Sequence, residues 1–199
     1  MKSLKFIHIT KCAGTFIEEL GRSYDIKWGR HHKEYGFWHD IFINKSPELK
    51  QKYDWFTIVR NPYTRILSEY YCQWGGINNM SEKNIIIKDK KDFNNYLIKK
   101  IHNRCKTGHH YTEQYKYIDK AAVIHIIKLE DIDLYLQNVF DIYNLNIDIK
   151  MVKKMNTKEH KMKTLEYTVD DFNDELINLI NTVYETDFGL FNYEMIKTN

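Results

Sequence analysis

Cysteine, net charge and long apolar runs are all scarce in this chain, and each shortage excludes something. The three cysteines among 199 residues, Cys12, Cys72 and Cys105, have no metal-ligand spacing, and an odd number makes a poor disulfide framework. A reducing compartment is therefore expected. No C-x-x-C or H-E-x-x-H cluster occurs, so no metal is expected. The net charge is only +3 and its positive part is dispersed. With no recognised nucleic-acid module, nucleic acid is not an expected partner. No stretch approaches the roughly 20 apolar residues of a membrane span, and the first apolar run has the length of a strand rather than of a signal-peptide core. These absences predict a soluble, cytoplasmic protein that does not engage a membrane.

A chain that is 43% hydrophobic and 15% aromatic has the makings of a globular core, and its length suits one domain over 1–199. There is no internal repeat and no linker. Leu4–Thr10 reads as a buried strand, Thr15–Arg22 as a helix, and Trp55–Val59 and Ala121–Lys128 as two further strands. Ser46-Pro47 signals a helix start, and a helix follows Pro62 until Gly75-Gly76. Asp92–His102 and Asp131–Tyr143 carry helical spacing, and Thr168–Asp171 resembles a capping box opening a last helix that runs to about Tyr184. Strands alternating with helices predict an α/β fold with a central parallel sheet, flanked by helices on both faces.

Two segments carry chemistry. The first, Lys11-Cys12-Ala13-Gly14-Thr15-Phe16, joins a strand to a helix. Backbone N–H groups at the helix start, with a lysine beside them and a glycine that lets the chain come close, suit a phosphate or sulfate. An ordinary strand-to-helix turn with a surface lysine reads the same segment. A Walker A loop is not present, because that needs lysine after its glycines. The second segment, Val59-Arg60-Asn61-Pro62-Tyr63-Thr64-Arg65-Ile66-Leu67-Ser68, sets Arg60 at a strand's carboxyl end, where open α/β sheets bind ligands. Its guanidinium suits a phosphate, and Ser68 offers a hydroxyl from the following helix. Arg65 reads as a solvated helix residue.

In order along the chain, these segments resemble the 3′-phosphoadenylyl sulfate (PAPS)-dependent sulfotransferases, particularly the carbohydrate O-sulfotransferase branch. Lys11–Phe16 is similar to that family's 5′-phosphosulfate loop, and Arg60 to Ser68 to its 3′-phosphate motif. Glu130-Asp131 and Asp187-Phe188-Gly189-Leu190-Phe191-Asn192-Tyr193 are similar to its strand-end pair and its closing D-F-x-x-F-x-Y. The resemblance implies a three-layer P-loop-like fold. It implies that Lys11, Ala13, Gly14, Thr15 and Phe16 hold the 5′ end of PAPS while Arg60 and Ser68 hold the 3′-phosphate. Cys12 and Phe16 stand where hydroxyl residues are usual, so only their backbone N–H groups are credited. The product would be 3′,5′-ADP and the acceptor a small molecule or glycan, most naturally a sugar hydroxyl.

In-line sulfuryl transfer needs charge balance on the leaving oxygen, for which Lys11 is suited, and a general base for the acceptor. Histidine is the natural base near neutral pH. His39, 21 residues before Arg60, matches the spacing of the family's catalytic histidine; His32 is the second choice, and Glu18 or Glu34 would also serve. His8 reads as a packed histidine. The polar loop His109–Tyr115 resembles an acceptor-contacting loop through His110 and Gln114, and Lys153–Lys158 resembles a segment closing over the nucleotide. The rivals are a P-loop-like nucleotide kinase and a non-catalytic nucleotide-binding module. The oligomeric state is left open.

Overall fold

The computed structural model describes residues 2–28, 39, 41–106, 109–149 and 166–198. Its strands are β1 (Leu4–Ile7), β2 (Asp54–Val59) and β3 (Val123–Lys128), all parallel in the order β1-β2-β3. The seven α-helices among the described residues are α1 (Gly14–Ser23), α2 (Pro47–Lys52), α3 (Pro62–Tyr70), α4 (Lys90–His102), α5 (Ile132–Ile142), α6 (Asp174–Val183) and α7 (Glu185–Phe191). This is the α/β class that the alternating pattern predicts. The chain divides into two compact units, 1–60 with 116–160 and 61–115 with 161–199.

The first unit holds the sheet. β1 is buried throughout, and β2 along all but its first residue, as a near-continuous apolar run requires. β3 alternates instead: Val123 and Ile127 are buried, Ile124 and Ile126 exposed. Among the described residues β3 is the last strand of the sheet, with Ile124 and Ile126 facing outward. The core is aromatic. Phe6 meets Phe56 at 5.0 Å, and Trp28 stacks on Phe140 at 5.6 Å; each such side chain contributes about 1.5–3 kcal/mol by leaving water. Pro47 follows Ser46, whose hydroxyl accepts from the Leu49 N–H at 3.3 Å.

β1 is shorter than its apolar run. Ladder pairing stops at Ile7↔Thr57, where the Thr57 hydroxyl donates to the Ile7 carbonyl at 2.9 Å, and His8, Ile9 and Thr10 continue as buried irregular chain.

The second unit is helical. Its core joins Tyr63, Ile66 and Tyr70 of α3 to Phe93, Leu97 and Ile101 of α4 and to Leu176, Ile177 and Ile180 of α6. Buried Asn94 replaces apolar packing with polar pairing: its amide donates to the Asp171 carbonyl and its oxygen accepts from the Asn173 N–H, both at 2.8 Å.

Two boundaries differ from expectation. α3 ends at Tyr70, ahead of the glycine pair, because the chain turns tightly there: the Cys72 N–H donates to the Glu69 carbonyl and the Ile77 N–H to the Tyr70 carbonyl. The capping box at Thr168 and Asp171 forms, but it closes a short 3₁₀ turn, Val169–Asp171. α6 starts later, with the Asn173 side chain accepting from the Leu176 N–H. α7 is an additional helix after Tyr184.

Candidate functional site

The loop after β1 has an unusual backbone. Lys11 and Ala13 both have left-handed φ, 60° and 56°, a conformation in which non-glycine residues carry strain. Ala13 is the residue before α1, and no described side chain caps that helix. Its first turn therefore presents N–H groups that lack intrahelical partners. Thr15 is exposed, Lys11 and Phe16 half-buried, and Cys12 fully buried, so the Cys12 side chain belongs to the core rather than to the loop's outer surface.

Gly14 is buried against His8. A β-carbon at Gly14 would overlap the His8 imidazole, so glycine is needed here for close approach. His8 in turn sits 5.7 Å from Phe6, ring to ring, with its Nδ1 4.0 Å from a buried Glu18 carboxylate oxygen. His39 meets the same group: its ring stands edge-on to His8 at 4.5 Å, and its Nδ1 lies 3.2 Å from the His8 carbonyl oxygen. The chosen histidine is thus brought to the loop through His8. His32 lies outside the described residues, as do Glu34 and Lys153–Lys158. Glu18 is buried beside His8, which makes it a partner of that ring.

Arg60, at the end of β2, reaches the loop from the neighbouring strand; its Nη1 donates to the Lys11 carbonyl at 3.4 Å. Two strand tips therefore bring a guanidinium and a lysine-bearing loop together.

The second unit holds Ser68, Arg65, His110, Gln114 and the closing motif. Ser68 is half-buried on α3. Arg65, expected to face solvent, is buried at 1% exposure. Its Nη2 lies 4.0 Å from Glu69 one turn on, and Glu69 is fully buried. The i,i+4 spacing of the two was the available signal. His110 is partly buried, with Nδ1 2.7 Å from Glu69. Gln114 is fully buried; its backbone N–H, with that of Tyr115, donates to the Asp187 carboxylate at 2.9 and 2.8 Å. Burial raises the Asp187 pKa, which these N–H bonds and Arg65 counter. Asp187 opens the closing D-F-x-x-F-x-Y, so that motif fastens the His109–Tyr115 loop. Tyr111, next to His110, has φ 63° and is fully buried, and its carbonyl accepts from the Tyr184 hydroxyl at 2.6 Å.

A family model described as "Sulfotransferase family" matches residues 2–194. The chain belongs to the sulfotransferase family. Its three parallel strands and helices are accordingly a P-loop-like α/β fold, and the sulfotransferase chemistry of the family, sulfuryl transfer to an acceptor, is the chemistry of this domain. No curated protein and no solved structure matches the chain. Among the described residues of this sulfotransferase no helix is long and apolar enough to cross a membrane.

Proposed function

We propose that this sulfotransferase uses PAPS as donor and a hydroxyl, on a carbohydrate, as acceptor, within one functional domain spanning 1–199. The observation that carries the donor assignment is the meeting of Arg60 with the Lys11 carbonyl, beside an uncapped helix start. The residues fit a doubly anionic nucleotide. The α1 N–H groups and Lys11 hold one anionic end, Gly14 lets the loop close on His8, and Arg60 and Ser68 take the 3′-phosphate. When bound, the donor supplies the sulfuryl group and leaves as 3′,5′-ADP. Lys11 balances the charge gathered on the leaving oxygen, and the N–H groups of Ala13, just before α1, and of Gly14, Thr15 and Phe16 in its first turn orient it. His39 takes the acceptor proton, with His32 as the second candidate. His110 meets the acceptor, and Gln114, whose backbone N–H is held by Asp187, keeps that loop in place.

Calorimetric titration with 3′,5′-ADP in the absence of magnesium tests the donor site. Tight binding without magnesium supports PAPS; binding only of Mg-ATP would assign a kinase instead. Labelled-sulfate transfer over glycans, phenols and amines then identifies the acceptor. Lys11→Ala is expected to abolish transfer while keeping most nucleotide affinity. Wild-type protein that binds 3′,5′-ADP but transfers to none of these acceptors would point to a binding module.

A further inference from the structure

In the second unit, three side chains of the kind that ligate transition metals converge. Glu69 lies in the last turn of α3, Cys72 follows in the turn that ends it, and His110 comes from the loop fastened by Asp187. One ligand atom from each lies within 4.8 Å of the other two. Glu69 is fully buried, Cys72 is 6% exposed, and the His110 side chain is 19% exposed. Such a set differs from a surface acidic cluster in kind, since it offers one oxygen, one nitrogen and one sulfur donor.

The surroundings hold these groups in place. A β-carbon at Gly75 would overlap the His110 ring, and one at Gly76 would overlap the Glu69 and Tyr70 carbonyls, so the glycine pair lets this turn close down on the imidazole. Tyr111 keeps a left-handed φ beside His110 while its buried side chain and the Tyr184 hydroxyl bond anchor it. The Cys72 N–H donates to the Glu69 carbonyl at 3.0 Å, which ties the first two donors into one turn.

We propose that Glu69, Cys72 and His110 form a binding site for a borderline-soft divalent cation, zinc above all. Mixed thiolate, imidazole and carboxylate donors favour zinc over magnesium or calcium, which take oxygen. Three protein ligands leave a fourth tetrahedral position for water. Binding breaks the Glu69–His110 hydrogen bond, shifts the imidazole proton from Nδ1 to Nε2 as the cation takes Nδ1, and sends the Cys72 thiol proton to solvent. The cation then takes over from His110 as the carboxylate's partner, beside Arg65. The site does not depend on the acceptor contact proposed above.

The test uses the full chain, reduced and stripped with a chelator, titrated with cobalt(II) and then zinc(II). One equivalent of cobalt is expected to give a thiolate-to-cobalt charge-transfer band with intense tetrahedral d–d absorption, and zinc to displace both. Cys72→Ser should lose the charge-transfer band. Glu69→Gln and His110→Ala should each weaken binding about tenfold or more, and Cys105→Ser should leave it intact. Because Glu69 is buried and its variant is at risk of misfolding, thermal melts of wild type and Cys72→Ser with and without zinc give a second reading. Zinc should raise the wild-type melting temperature alone. Absence of a cobalt band, or a band surviving in Cys72→Ser, or equal zinc shifts in both proteins, would overturn the assignment. 3′,5′-ADP affinity, read on the same samples, reports the nucleotide site separately.

Discussion

Gly14 has no room for a side chain, because the space beside its α-carbon is taken by the His8 ring. Gly14→Ala should therefore destabilise the chain by about 1–3 kcal/mol, the usual cost of forcing atoms into a packed site, and weaken 3′,5′-ADP binding by displacing the loop. Removing the obstacle tests the cause: in a His8→Ala background the stability loss from Gly14→Ala should largely vanish in denaturant melts, a coupling expected of touching residues. Arg65 makes the opposite point about charge. A solvated helix arginine would cost within about 0.5 kcal/mol on truncation, but Arg65→Ala here leaves Glu69 buried and short of a counter-charge, and should cost about 3–5 kcal/mol. A denaturant melt distinguishes the two values. The placement of Lys11, Gly14 and Arg60 at two neighbouring strand ends was legible from residue type and spacing, since an apolar run followed by a turn and a helix fixes it. The packing of His8 was legible too, but the burial of Arg65 was not, because burial on a helix is decided by which element lies over it, and one-dimensional spacing carries little of that.

At the level of elements, strong local chemistry gave correct positions and weaker signals gave shifted ends. Ser46-Pro47 starts α2 as expected, because cap and fixed φ act within a single turn. Thr168 and Asp171 also form their capping box, yet the helix they were expected to open begins only after Asn173; the buried Phe172 between them sits in extended backbone, a tertiary demand invisible to a local motif. Asp171 allows a pH test. Its pKa is held below the ordinary 3.8 by the Lys90 side-chain bond, and then by the Thr168 N–H. A depressed folded-state pKa stabilises the fold above the unfolded value and is lost as pH falls through it. Asp171→Asn should accordingly be less stable than wild type near neutrality, with the gap closing below about pH 4; parallel urea titrations at pH 7 and pH 3 measure it.

Across the whole molecule, the sulfotransferase fold was readable because buried parallel strands announce themselves as apolar runs, with a helix start after two of them. The division into two units was not, since both are assembled from segments far apart in sequence, and composition does not change at their borders. Phe56 shows where the sheet's stability resides: it is fully buried and touches Phe6, Trp28 and Phe140. Phe56→Ala should cost about 3–5 kcal/mol, with tryptophan fluorescence following the loss because Trp28 and Trp55 lie in the same core.

The interleaving has an outcome in time. β2 must wait for β3 until everything from Asn61 to Tyr115 has been synthesised, and the final stretch that completes the helical unit emerges later still. A nascent chain halted just past Val59 would hold two paired strands with a bare hydrophobic flank. Such a fragment is a client for chaperones, and its aggregation on the ribosome would rise as translation slows between those two strands.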